Sequence, residues 1–73
     1  MRLRDIKIGE YYRHKDHQGY AWARVIRIIP PHTIANPRSY ALVVCEWGVN
    51  KPQDTDTFGI IKYFRASDLV KEK

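Results

Sequence analysis

Short apolar and aromatic runs separated by polar, turn-rich stretches organise this chain. The runs cover Glu10 to His14, Tyr20 to Ile29, Tyr40 to Trp47 and Phe58 to Phe64, with a last short piece near Leu69-Val70. They are rich in β-branched and aromatic residues and show local alternation, which predicts strands. No extended window keeps a helical period, although Ser67 is placed to cap a single 3-10 or helical turn ahead of Leu69. Between the runs, Pro30 to Ser39 and Gly48 to Thr57 hold the prolines, asparagines and aspartates that favour turns. The expectation is one all-β domain over residues 1–73, with five strands arranged as a barrel or sandwich.

Tyr20 to Ile29 is the most informative run. Alternation puts Ala21, Ala23 and Val25 on one face and Tyr20, Trp22 and Arg24 on the other. Two alanines let a wall close tightly, so the small face is expected to pack inward and leave Trp22 exposed beside Tyr20 and Arg24. The opposite register, which buries Tyr20, Trp22 and Ile26, is also an adequate core, and alternation alone leaves it open. Past Val25 the pattern breaks, since Ile26, Ile28 and Ile29 are apolar and Arg27 is not, which predicts a bulge or strong bend. Tyr40 to Trp47 is apolar on both faces through its middle and reads as a central strand. Gly59 marks a sharp bend in the run that follows.

Taken in order, Ile6-Lys7-Ile8-Gly9-Glu10-Tyr11-Tyr12, Ala23 to Ile28, Leu42-Val43-Val44 and Phe64 to Val70 resemble the SH3-like small β-barrels of the Tudor, chromo-barrel and KOW kind. The resemblance spans nearly the whole chain and is one of pattern. It rests on a hydrophobic-x-hydrophobic-Gly-Glu lead into the first strand and a short turn before the last. It implies a five-stranded barrel with a 3-10 or helical turn before the final strand, and a binding role whose ligand the fold does not choose. The short, aromatic-rich chain also looks like accessory proteins of bacteriophages and mobile elements that bind or block a host protein.

Charge and composition narrow the possibilities. Thirteen Lys and Arg against eight Asp and Glu give a net charge of +5 and a pI near 9.6, a balance that attracts acidic surfaces and polyanions. The excess lies early: Arg2, Arg4, Lys7, Arg13, Lys15, Arg24 and Arg27 precede Ile29 against Asp5, Glu10 and Asp16. Cys45 is the single cysteine, so neither an internal disulfide nor a cysteine-based zinc site can form, and its apolar neighbours read as a buried thiol in a reducing compartment. The first residues carry mixed charge without the apolar stretch of a signal peptide, and no run approaches the length of a membrane span. The expected location is the cytoplasm, with no membrane partner.

No set of side chains reads as catalytic, and no cofactor is implied. His14, Asp16 and His17 form a His-x-x-His stretch that fits a polar turn ending at Gly19 better than a metal site, since no suitable third ligand is near. Asp54 and Asp56 lack the glycine and final glutamate of a calcium loop. The aromatics make up 12% of the chain, more than so small a core can enclose. In a strand, Tyr11 and Tyr12 point to opposite faces, as do Tyr63 and Phe64, so one of each pair leaves the interior.

The expectation is a non-catalytic binding surface of Tyr12, Arg13, Tyr20, Trp22, Arg24, Lys62 and Tyr63, with Trp22 as an anchor. Such a mixture suits a protein partner, where Tyr, Trp and Arg are enriched. Single-stranded nucleic acid, with bases stacked on rings and phosphates on cations, is the alternative. A Tudor-type aromatic cage using Glu46 or Asp68 is a third reading, disfavoured because a basic domain repels a cationic ligand.

Overall fold

A computed structural model of the chain describes residues 1–16, 22–48 and 60–71. The architecture is all-β: β1 (Tyr11–His14), β2 (Trp22–Ile29), β3 (Leu42–Gly48), β4 (Ile60–Phe64) and β5 (Leu69–Lys71) form one antiparallel sheet in the order β4-β3-β2-β1-β5. A 3-10 turn at Leu3–Asp5 precedes the sheet, and another at Ala66–Asp68 leads directly into β5, as expected ahead of Leu69. No helix among the described residues is long and apolar enough to cross a membrane. Among those residues no ladder joins β4 to β5, so the sheet they form is not closed. The expected bend at Gly59 lies outside the described residues.

The core sits on one face of the sheet. Tyr12, Ala23, Val25, Val43, Cys45 and Leu69 meet there beneath Ile6, and Ile28, Trp47 and Phe64 pack around them. Ala23 and Val25 therefore point inward, as the alternation of β2 predicts. The break past Val25 is a bulge: Val25 pairs with Cys45, Arg27 pairs with Val44, and Ile26 is the extra residue between them. Its effect is to turn Ile28 inward and to send Arg27 and Ile29 to the outer face. β3 is buried on both sides at Val43, Val44 and Cys45, which is why its sequence is a continuous apolar run.

The lead into β1 is fixed by Gly9, whose φ of +92° lies where a side chain is strained. Gly9 N–H donates to Val25 O at 2.8 Å and Val25 N–H to Glu10 O at 3.1 Å, so two residues oppose one in the manner of a glycine bulge. This sets the facing of the two tyrosines that follow. Tyr12 enters the core, where its hydroxyl accepts the Lys7 N–H at 2.9 Å and donates to Asp5 O at 3.5 Å. Tyr11 takes the outer face.

Candidate functional site

Register assigns the outer face. Tyr11 lies opposite Arg24, Arg24 opposite Glu46, and Glu46 opposite Ile61, with Val44 and Tyr63 paired beside them. Residues so paired share a face, and this one divides into three parts.

At the β1 end, Trp22 meets Tyr11 edge-on at 5.1 Å between ring centroids, and the Arg13 guanidinium lies 4.2 Å from the indole centroid. Trp22 consequently faces outward from the core, as the alternation requires, yet is only 5% exposed. The expected exposed anchor is thus a covered residue: side chains from the neighbouring strand close over it. In the middle, Arg24 is tied to Glu46, its Nε donating to Oε1 at 2.9 Å, and the pairing strengthens the hold of Arg24 on its proton. Both charges are half-buried and spent on each other.

The third part is a cleft of about 780 Å³ at the far end of β2, β3 and β4, where Arg27, Ile29, Leu42 and Tyr63 from the strands meet Arg38, Tyr40 and Arg65 from the flanking segments. A buried asparagine shapes it. Asn36 is fully buried, and its Nδ2 donates to Tyr40 O at 2.8 Å, Pro30 O at 3.2 Å and Ile29 O at 3.4 Å, while Oδ1 accepts the Arg38 N–H at 3.3 Å. Thr33 completes the turn: its hydroxyl donates to Pro30 O at 3.2 Å and accepts the Asn36 N–H at 3.0 Å. The backbone around Arg38 and Tyr40 is therefore held from inside, and both side chains are delivered to the cleft. The Arg65 guanidinium stacks 3.8 Å from the Tyr40 ring centroid. Hydrogen bonding from Arg65, aided by the charges of Arg65 and Arg38, holds the Tyr40 phenol below the usual tyrosine range despite partial burial. No carboxylate pairs with Arg27, Arg38 or Arg65 among the described residues. Asp68, at the rim, accepts the Arg65 N–H at 3.1 Å and pairs with Lys15 at 3.7 Å.

The expected binding residues do not form one face. Tyr12 is in the core because the glycine bulge turns it inward, and Lys62 lies on the core side of β4 opposite Cys45, although exposed at the sheet edge. Arg13, Trp22 and Arg24 share the outer face but are engaged with one another or with Glu46. Tyr63 is both outward and free to touch a ligand, at 54% exposed. Tyr20 lies outside the described residues. Sequence reasoning did not single out Arg27, Arg38, Tyr40 and Arg65 as a site; the one local signal was the misplaced Arg27 at the break in alternation.

Other candidate chemistry resolves in the same way. His14 accepts the Asp16 N–H at 3.1 Å and lies 5.2 Å from the Phe64 ring, while His17, Asp54 and Asp56 lie outside the described residues. Among the described residues no three His, Cys, Asp or Glu side chains converge on a point that could hold a metal ion. Glu46 and Asp68, the acids considered for an aromatic cage, are committed to Arg24 and Lys15. Burial pushes the Cys45 thiol up to about 12, which leaves no thiolate nucleophile near neutral pH. No family model matches the chain, and no curated protein or solved structure matches it either.

Proposed function

We propose that the protein is a small, non-catalytic binding module of the cytoplasm that engages a protein partner through the outer face of β3 and β4. The observation that carries this reading is the exposed pair Ile61 and Tyr63 on the outer face of β4, at 48% and 54%, beside the arginine-lined cleft. Ile60, on the other face of the same strand, is exposed as well. Large apolar and aromatic side chains left in water next to arginines have the composition of an interface core with a charged rim. β4 pairs with β3 alone among the described residues, which suits a partner seated along that side of the sheet. The glycine-led first strand and the 3-10 turn before β5 support placing the fold among the SH3-like barrels, and a role as an inhibitor or adaptor of phage type is in keeping with this size.

A second reading, single-stranded nucleic-acid binding, is favoured by one observation: three arginines and two tyrosines line a cleft in which no carboxylate pairs with those arginines among the described residues. Pull-down from a nuclease-treated lysate with the full chain and its Ile61→Asp and Tyr63→Ala variants separates the two. A protein captured by the parent chain, lost with either variant and retained at 0.3–0.5 M salt, roughly, supports the first reading, because interfaces anchored by apolar and aromatic groups weaken little with salt. Capture that vanishes on nuclease treatment rules it out in favour of the second.

A further inference from the structure

Three guanidinium groups that line one cleft beside a phenol are an unbalanced arrangement. Each guanidinium offers five N–H donors, whereas a phenol oxygen is neutral and accepts few of them. Arg27, Arg38 and Arg65 nevertheless line the same cleft as Tyr40, with the Arg65 guanidinium 3.8 Å from the Tyr40 ring centroid, and the one acid at the rim, Asp68, is engaged by Lys15 and by a backbone N–H. Holding like charges together costs free energy unless an anion offsets it. The chain also invests structure in the arrangement, since the buried Asn36 carboxamide fixes the backbone on either side of Arg38 and Tyr40. A second large cleft, lined by Met1, Arg4, Asp5, Lys7, Glu10 and Lys71 among others, mixes two acids with three basic side chains.

The cleft is also larger than an oxyanion requires. At about 780 Å³ it falls in the range of sites for ligands of some 300–1,000 Å³. Ile29 and Leu42, partners across β2 and β3, supply apolar surface, and Tyr63 offers an exposed ring. A carboxylate has two oxygens and one charge, which a single arginine fork can satisfy. A phosphate monoester has three terminal oxygens and up to two charges, which match several guanidinium groups.

We propose that this cleft binds a nucleotide unit, with its phosphate held by Arg38, Arg65 and Arg27 and its base lying against Tyr63, Ile29 and Leu42. The unit is either a free nucleotide or the residue of a single strand, since the phosphate and base chemistry is common to both. This site stands beside the protein-binding reading and does not depend on it.

The test is a titration of the isotope-labelled full chain, followed by backbone and arginine side-chain NMR signals at low salt. The probes are adenosine monophosphate, adenosine, inorganic phosphate, a four-residue oligoadenylate and a tetraglutamate peptide. Adenosine monophosphate is expected to shift Arg38, Tyr40, Tyr63 and Arg65, and to bind at least tenfold more tightly than either adenosine or inorganic phosphate. Arg65→Gln and Arg38→Gln are each expected to weaken it at least tenfold, while Arg4→Gln, which removes the same charge from the other cleft, leaves it within twofold. Oligoadenylate binding tighter than the mononucleotide identifies a strand as the source, and equal affinity identifies the free nucleotide; both support the site. The proposal is overturned if adenosine binds as well as its monophosphate, if Arg65→Gln and Arg4→Gln behave alike, or if the glutamate peptide matches adenosine monophosphate at the same arginines. Tyr63 belongs to both surfaces, so the protein partner is read separately by the pull-down with Ile61→Asp, a residue outside the cleft.

Discussion

Replacing Asn36 with alanine removes the carboxamide that ties the Pro30–Ala41 loop to the sheet, and its cost can be estimated from its partners. The side chain has two N–H donors, shared among Tyr40 O at 2.8 Å, Pro30 O at 3.2 Å and Ile29 O at 3.4 Å, and one carbonyl that accepts the Arg38 N–H at 3.3 Å. That amounts to roughly three bonds at a net 0.5–1.5 kcal/mol each. Water entering the vacated space recovers part of the loss, leaving about 2–3 kcal/mol. Domains carry roughly 0.05–0.15 kcal/mol per residue, or about 4–11 kcal/mol for a chain of 73 residues, so roughly a fifth or more of the stability is at stake. In urea, with a slope of about 1–1.5 kcal/mol per molar for so small a protein, the midpoint is expected to fall by about 2 M with the slope unchanged. Asn36→Asp sharpens the test, because aspartate keeps the acceptor for Arg38 but turns lone pairs toward three carbonyl oxygens. It is expected to be at least as damaging as alanine at neutral pH. A loss below about 0.5 kcal/mol for Asn36→Ala, or an aspartate variant more stable than the alanine one, would refute the reasoning that the buried amide organises the loop.

Trp22→Ala is expected to cost about 3–5 kcal/mol and to lower the melting temperature by about 12 °C or more, since the indole is enclosed by Tyr11 and Arg13; a melt within a few degrees of the parent would show the residue to be a surface group after all. Cys45 should resist a thiol reagent at pH 8 in the native protein and react fully once the chain is unfolded. Because burial raises its folded pKa from 9.0 to about 12, stability is unaffected below about pH 9 and falls as the pH rises through that interval, where only the unfolded chain ionises; a denaturation series across it, compared with Cys45→Ala, checks the sign. Tyr40, whose pKa is lowered by Arg65 and Arg38, should ionise below the ordinary tyrosine range in an ultraviolet pH titration, and Tyr40→Phe should remove that step. The stabilisation that goes with its phenolate is complete only above the ordinary tyrosine range and is lost as the pH falls through the lowered value.

The strands were legible because each is a short run of β-branched and aromatic residues bounded by turn formers, and because the odd placement of Arg27 betrayed the bulge. The inward facing of Ala23 and Val25 was the expected one of two registers that alternation allowed, chosen because small side chains let the wall close tightly. Burial did not. Alternation states which side of the sheet Trp22 occupies, but its cover comes from Tyr11 and Arg13 on another strand, and that depends on a register no local pattern specifies. Tyr11 and Tyr12 show the same limit, since one had to leave the core and the backbone bulge at Gly9 decided which. The cleft was the least legible feature. Arg27, Arg38, Tyr40 and Arg65 come from three separate stretches, and strand order alone makes them neighbours. Asn36 looked like an ordinary turn residue, because its role lies in the carbonyls that surround it.

The extra residue at Ile26 acts on β2 as a single inserted base acts on a message: everything downstream changes frame. Before it, the odd-numbered positions Ala23 and Val25 serve the interior. After it, the even-numbered Ile28 does, and Arg27 and Ile29 are handed to the opposite side. One continuous strand thereby contributes to a core at one end and to an arginine-bearing cleft at the other, with no loop between the two duties. Ile26 itself is exposed, so the extra residue is one that the interior does not hold. Shortening the chain there leaves Val25 opposite Cys45 and Arg27 opposite Val44. The bulge thus absorbs the extra residue, and it is the pairing of Arg27 with Val44 and of Ile28 with Val43, not the count along β2, that delivers Arg27 to the cleft.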